Sequence, residues 1–195
     1  IVAGICGQII AIHPDWTPEQ VIHQIRSTSI PTAEPENLRP IYYGRVNAKN
    51  ALSYNNPNLG TYDKVPGLEI SNIVGDVSVL TNFEQTSFEL EVTNYLSRSY
   101  STKIRIKPLS NYLSVSTDYV SLSTIEEGES KTFELKVQLK EFIPWYEGLV
   151  DVLVEFESED YIDYQLVQFP VKLETKNKWA LNLLFPEEAL PQWYS

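Results

Sequence analysis

The chain has 195 residues, enough for one large or two small domains, and a formal net charge of −11. That acidity repels phosphate backbones, and no basic cluster or interleaved aromatic stripe offsets it, so nucleic acid is excluded as a partner. A single cysteine, Cys6, rules out an internal disulfide and leaves the redox compartment open.

The run Ile1 to Ile12 is almost wholly apolar, with Gln8 its one polar residue and no charge. A helix hydrophobic on every side must be wrapped by other protein or by lipid. The run is too short to span a bilayer, and no basic stretch precedes it as a signal peptide requires. The chain is therefore expected to start inside a larger domain, on its central buried helix. Cys6 reads as a small core residue there rather than a reactive thiol. Pro14 stops the helix, and Thr17 starts the next as an N-cap, with Pro18 at the first helical position. Gln20 completes a capping box, and Trp16 and Val21 are spaced as a hydrophobic staple. This second helix is expected to bury Val21, Ile22 and Ile25 and to turn Glu19, Gln24 and Arg26 away. After a loop rich in Pro and Glu, Asn47 can cap a short helix with Ala51 and Leu52 on its buried side. His13 and His23 lie on different elements and read as solvent-facing or capping residues, not as a metal pair.

Turn formers crowd Ser53 to Gly60, a linker, and beyond it the period changes from helical to two. Phe88, Leu90 and Val92 alternate with Glu89, Glu91 and Thr93; Ile104 and Ile106 alternate with Lys103, Arg105 and Lys107. The same pattern runs through Phe133, Leu135, Val137 and Leu139, then Val150, Val152, Val154 and Phe156, and finally Val167, Phe169, Val171 and Leu173. Pro170 sends that last strand to an edge or bulge. Residues 69–74 and 112–122 supply further short strands. About seven strands separated by turns such as Glu126-Glu127-Gly128-Glu129 predict a β-sandwich.

The acidic group Glu155, Glu157, Glu159, Asp160 and Asp163 lacks the spacing of a dedicated calcium loop and reads as a solvated strand end. Trp145, Tyr146, Tyr161 and Tyr164 read as residues that plug the sandwich or face a neighbour, rather than as a sugar platform. The tail, residues 176–195, is too apolar for a solvated end and is expected to pack on the rest of the protein or lead into a further domain.

Val2-Ala3-Gly4, Pro14, the run Thr17 to Val21, and Gly44-Arg45-Val46-Asn47-Ala48 stand in an order and spacing that resembles the end of the subtilisin-like serine protease domain. In that family a Gly-Thr-Ser-x-Ala-x-Pro nucleophile motif runs directly into a buried Val-Ala-Gly helix. Ile41-Tyr42-Tyr43 departs from the family pattern, which often has a further glycine there. The resemblance implies a nucleophilic serine about five residues before Ile1, with the other triad members and the oxyanion-hole Asn farther upstream. No catalytic, cofactor-binding or metal residue is therefore assigned in this chain, and no cofactor. Ile-Val-x-Gly is also the activated amino terminus of trypsin-like proteases, but no Gly-Asp-Ser-Gly-Gly accompanies it and only two histidines are present.

Val92-Thr93-Asn94 and Glu127 to Phe133 resemble fibronectin type III and other immunoglobulin-like modules, which commonly follow bacterial subtilisin-like domains. The expected organisation is mixed: residues 1–53 as the helical C-terminal fragment of an α/β subtilisin-like domain, 54–67 a linker, 68–175 an immunoglobulin-like all-β sandwich, and 176–195 the tail. The implied parent is an extracellular or cell-surface serine endopeptidase, whose partners are the remainder of the catalytic domain and a peptide substrate. The other expectation is a non-catalytic structural or adhesive sandwich with a docking helical remnant.

Overall fold

The computed structural model describes residues 1–30, 44–53, 65–74, 80, 85–140, 147–159 and 161–172. The Pro- and Glu-rich loop, most of the expected linker (residues 54–64), Trp145, Tyr146, Asp160, Leu173 and the apolar tail lie outside them.

Three helices come first: α1 (Val2–Ile12), α2 (Pro18–Ser27) and α3 (Ala48–Ser53). At the end of α1 the His13 N–H donates to the Ile9 carbonyl at 2.8 Å, and Pro14 bars continuation. The capping box forms as the spacing predicts. The Gln20 N–H donates to Thr17 Oγ1 at 3.4 Å and the Thr17 N–H to Gln20 Oε1 at 2.9 Å. Gly44 adopts φ 85°, a conformation glycine takes without steric cost, just before Arg45 pairs with Ile30 through two backbone bonds. Asn47 then caps α3, its Oδ1 accepting the Asn50 N–H at 3.2 Å. Ile5, Ile9, Val21, Ile25 and Ala51 make the helical core, with Trp16, Cys6, Val46 and Leu52 packed on it.

The expected face of α2 is corrected. Ile22 is exposed, while His23 and Gln24 are buried beside Val21 and Ile25. The helix has neighbours on two sides, so its buried arc is wider than one apolar stripe. The polar residues inside that arc are held by hydrogen bonds rather than by apolar contact.

The remaining elements are β1 (Leu68–Val74), β2 (Thr86–Asn94), β3 (Lys103–Pro108), β4 (Leu113–Val115), β5 (Tyr119–Ser121), β6 (Ser130–Leu139), β7 (Glu147–Ser158) and β8 (Tyr161–Lys172). They form two four-stranded sheets, in the orders β1-β2-β6-β4 and β5-β3-β7-β8, with all named strand pairs antiparallel. Register follows the alternation: Phe88 faces Leu135 and Leu90 faces Phe133 in one sheet, while Ile104 faces Phe156 and Val152 faces Val167 in the other. The inward rows meet in a single core, where the Phe88 and Phe169 rings lie 4.8 Å apart. The described fold is thus mostly β, a sandwich with three helices; the α/β subtilisin-like part of the expected fold class is not shown among the described residues.

Pro170 sits on edge strand β8, where a missing N–H does least harm. The final strand is longer than the sequence suggests, because Tyr161 to Leu166 pair with β7 instead of forming a loop. Their pattern is broken by Asp163, which is buried and neutralised by a partner from another element. Asn94 holds a corner: its Oδ1 accepts the N–H groups of Gly67 and Leu96, and its Nδ2 donates to the carbonyls of Ser97 and Ile125. Every donor and acceptor of that buried amide is used. Among the described residues no helix is long and apolar enough to cross a membrane.

Candidate functional site

Among the described residues, buried ionisable side chains gather where α2 meets the sandwich. His23 is completely buried, and its Nε2 stands 2.8 Å from Glu69 Oε2 on β1. An ionised carboxylate only accepts, so Nε2 carries the hydrogen and donates it. The ring stacks on Tyr95 at 5.2 Å between centroids and 12° between planes. Gly67 packs at the base of the ring, its backbone so near that an added Cβ falls 2.8 Å from His23 Cβ. His23 Nδ1 is buried with no hydrogen-bond partner.

One turn along α2, Arg26 Nη2 donates to Asp163 Oδ2 at 3.0 Å and to the Tyr164 carbonyl at 3.2 Å. The Tyr161 hydroxyl donates to the same Asp163 Oδ2 at 3.2 Å and accepts the Leu68 N–H at 3.1 Å, which ties β8 to β1. The Tyr164 N–H donates to Asp163 Oδ1 at 2.8 Å. Gln165 completes the seam as a surrogate strand partner, accepting the Ile70 N–H and donating to the Ile70 carbonyl. On the far side of α2, Gln24 Nε2 donates to the Ala51 carbonyl at 3.0 Å and fixes α3.

The electrostatics follow from these contacts. The His23 hydrogen bond holds the Glu69 carboxyl below the ordinary glutamate range against partial desolvation, with the charges of His23 and Arg26 adding to it. Burial pushes the Tyr161 phenol well above its usual value, and the Asp163 carboxylate pushes it further. The arrangement joins the helical unit to the sandwich. Glu69 takes His23 Nε2, and Nδ1 has no partner, so neither nitrogen is set to receive a proton from a nucleophile.

The residues singled out in the sequence are distributed as follows. His13 ends α1 as its capping residue and stacks flat on Trp16 at 3.9 Å; partial burial lowers its pKa. His23 does not face solvent and caps nothing, a correction: it is the buried contact between α2 and β1. Cys6 is half-buried and free beside the helical core. Of the acidic group, Glu157 binds Lys103 at 3.0 Å and Arg105 at 2.9 Å, and Glu155 binds Arg105 at 3.2 Å. Glu159 makes the β7–β8 turn with φ 52°. Asp163 is buried at the joint, so the reading of a solvated strand end fails there. Among the described residues no group of three or more His, Cys, Asp or Glu is placed to hold a metal. Tyr161 is a buried plug, whereas Tyr164 is half-exposed.

The ion pairs of the joint escaped sequence reasoning because their partners lie 46 and 137 residues apart. Locally, His23 and Gln24 are ordinary polar residues between Ile22 and Ile25, and nothing within α2 marks them as buried.

No protein-family model matches the chain, and no curated protein matches it. Among solved structures it is similar to the E. coli chaperone DraB, at 16% identity over 56% of this chain and 56% of that one, with a TM-score of 0.38. A FixG-related protein from Vibrio parahaemolyticus gives 14%, 55% and 97%, with a TM-score of 0.36. The CARDB domain of a Pyrococcus furiosus protein gives 17%, 56% and 90%, with a TM-score of 0.37. The match to the first of these spans little more than half the length of either chain. The strand pairing itself carries the fold: two antiparallel four-stranded sheets in a β-sandwich, with a three-helix unit pinned to its side.

Proposed function

We propose that this chain is a non-catalytic structural module, in which a β-sandwich grips a helical unit that docks on a further protein body. One observation carries the reading. Helix α1 turns only Ile5 and Ile9 into the helical core, while Val2, Ile10 and Ile12 stay 49%, 48% and 38% exposed and Ile22 of α2 is exposed as well. An apolar surface on a neutral helix marks a contact with other protein.

A narrower reading rests on the motifs of the first 53 residues. In it, the body that covers α1 is the remainder of a subtilisin-like serine endopeptidase domain, secreted or held at the cell surface. Peptide bonds are cut there by a Ser-His-Asp triad that precedes this chain, and peptide substrate reaches this chain only through the parent. The Thr17–Gln20 capping box, the Asn47 cap and the mutual packing of α1, α2 and α3 support it, since they follow the order that the resemblance implies. The start of α1 then lies beside the nucleophile, where a helix dipole favours developing negative charge.

The two readings separate by experiment. Ile10→Asp leaves the melting of residues 1–195 within about 0.5 kcal/mol of the parent sequence, because the site is exposed. The same substitution destabilises the longer protein that holds α1; equal behaviour in both overturns the docking reading. A fluorophosphonate probe labels a serine of that longer protein and leaves residues 1–195 unlabelled. No labelled serine in the longer protein removes the peptidase reading alone, and labelling of residues 1–195 overturns the non-catalytic assignment.

A further inference from the structure

We infer that the joint between α2 and the sandwich is an acid-released latch, closed while Glu69 is ionised and opened when it is neutralised, with the sandwich core left intact. The inference stands whichever protein body covers α1.

The two apolar cores share no residue: one lies between the sheets and the other among the helices. Beside the stack of His23 on Tyr95 and the close approach of Gly67, polar contacts join them. His23 and Arg26 reach from α2 to Glu69 and Asp163, and Gln20 reaches Glu127 at 3.4 Å. The side chains of His23 and Asp163 are almost wholly buried and that of Glu69 is one-third exposed, so protons reach the pair through Glu69. Glu69 interacts with His23 and Arg26 from α2 and with Tyr95, which follows β2; Glu19 of α2 and Glu91 of β2 act on Tyr95, and Asp163 and Tyr161 of β8 meet the joint through Arg26.

Neutralising Glu69 removes the charge from a hydrogen bond that is strong because it is charge-assisted. His23 has no second polar contact to replace it, because Nδ1 is buried with no hydrogen-bond partner among the described residues. The cluster between the sheets is built of aliphatic and aromatic side chains, which do not titrate between pH 7 and pH 3.5, so its strands have no comparable reason to part. The sign follows from Glu69: its carboxyl is held below the ordinary range when closed. Its contribution is complete above that range and is lost as pH falls through the depressed value.

Hydrogen exchange on the whole chain, corrected for the intrinsic pH dependence of amide exchange, tests the latch. Between pH 7 and pH 3.5, α2 and the start of β1 lose protection about tenfold or more in one step, while β2, β6 and β7 keep theirs. Glu69→Gln, which keeps an amide oxygen for Nε2–H, brings α2 at pH 7 close to the acid level of the native chain and removes the step. Unchanged protection of α2 at pH 3.5, simultaneous loss in all strands, or a Glu69→Gln profile identical to the native one each overturns the latch.

Discussion

Single residues in this chain are constrained by what they touch across long sequence distances. Gly67 shows it most sharply. Its carbonyl accepts the Tyr95 N–H and its N–H reaches Asn94, so the backbone is fixed, and the space above it is filled by His23 and Leu96. Gly67→Ala sets a methyl 2.8 Å from His23 Cβ and 3.1 Å from Leu96 Cγ, neither of them the free end of a flexible chain. We expect it to cost about 1–3 kcal/mol by overpacking, read as a lower urea midpoint at unchanged slope. Local grammar identifies glycine as a turn former, but cannot reveal that a helix more than 40 residues upstream presses on it. His13 and His23 make the same point. Both read in sequence as solvent-facing or capping residues, yet one caps α1 and stacks on a neighbour three residues away and the other is the centre of the joint.

At the level of elements, short-range rules decide well wherever an element has one dry side. Strands β2, β3, β6 and β7 bury the residues their alternation marks, because each presents one face to a single opposing sheet. The capping box of α2 was legible because a cap is satisfied within one turn of the helix. Thr17→Ala leaves the Gln20 N–H without its acceptor. It is expected to cost about 1 kcal/mol and to raise amide exchange first in the opening turn of α2. Elements with two dry sides were misread. Helix α2 packs on α1 and α3 and also on the sandwich, so His23 and Gln24 are buried and Ile22 is not. Strand β8 begins six residues before the alternation Val167, Phe169, Val171 suggests, because Asp163 occupies a buried position that an apolar pattern cannot mark.

Over the whole molecule, the titrating groups set a window of stability. Glu69 and Glu157 have their pKa values lowered, the first by its bond to His23 and the second by its bond to Lys103, so acid removes their contributions. Tyr161 is raised, which reverses the sign: the unfolded chain ionises near pH 10.0 while the folded phenol does not, so stability falls as pH rises above that value. Urea midpoints measured across pH should therefore form a plateau with an acid limb and an alkaline limb. Tyr161→Phe should flatten the alkaline limb and lower the plateau through loss of the Leu68 and Asp163 hydrogen bonds. The sequence alone determined the sandwich, its inward rows, the three helices and the caps of α2 and α3, since these depend on periodicity and on partners a few residues apart. Only the tertiary structure decided that α2 is shared between two bodies and that His23, Arg26, Glu69 and Asp163 form the joint. Buried charges acquire their meaning from partners that the fold, and not the neighbouring chain, brings within bonding distance.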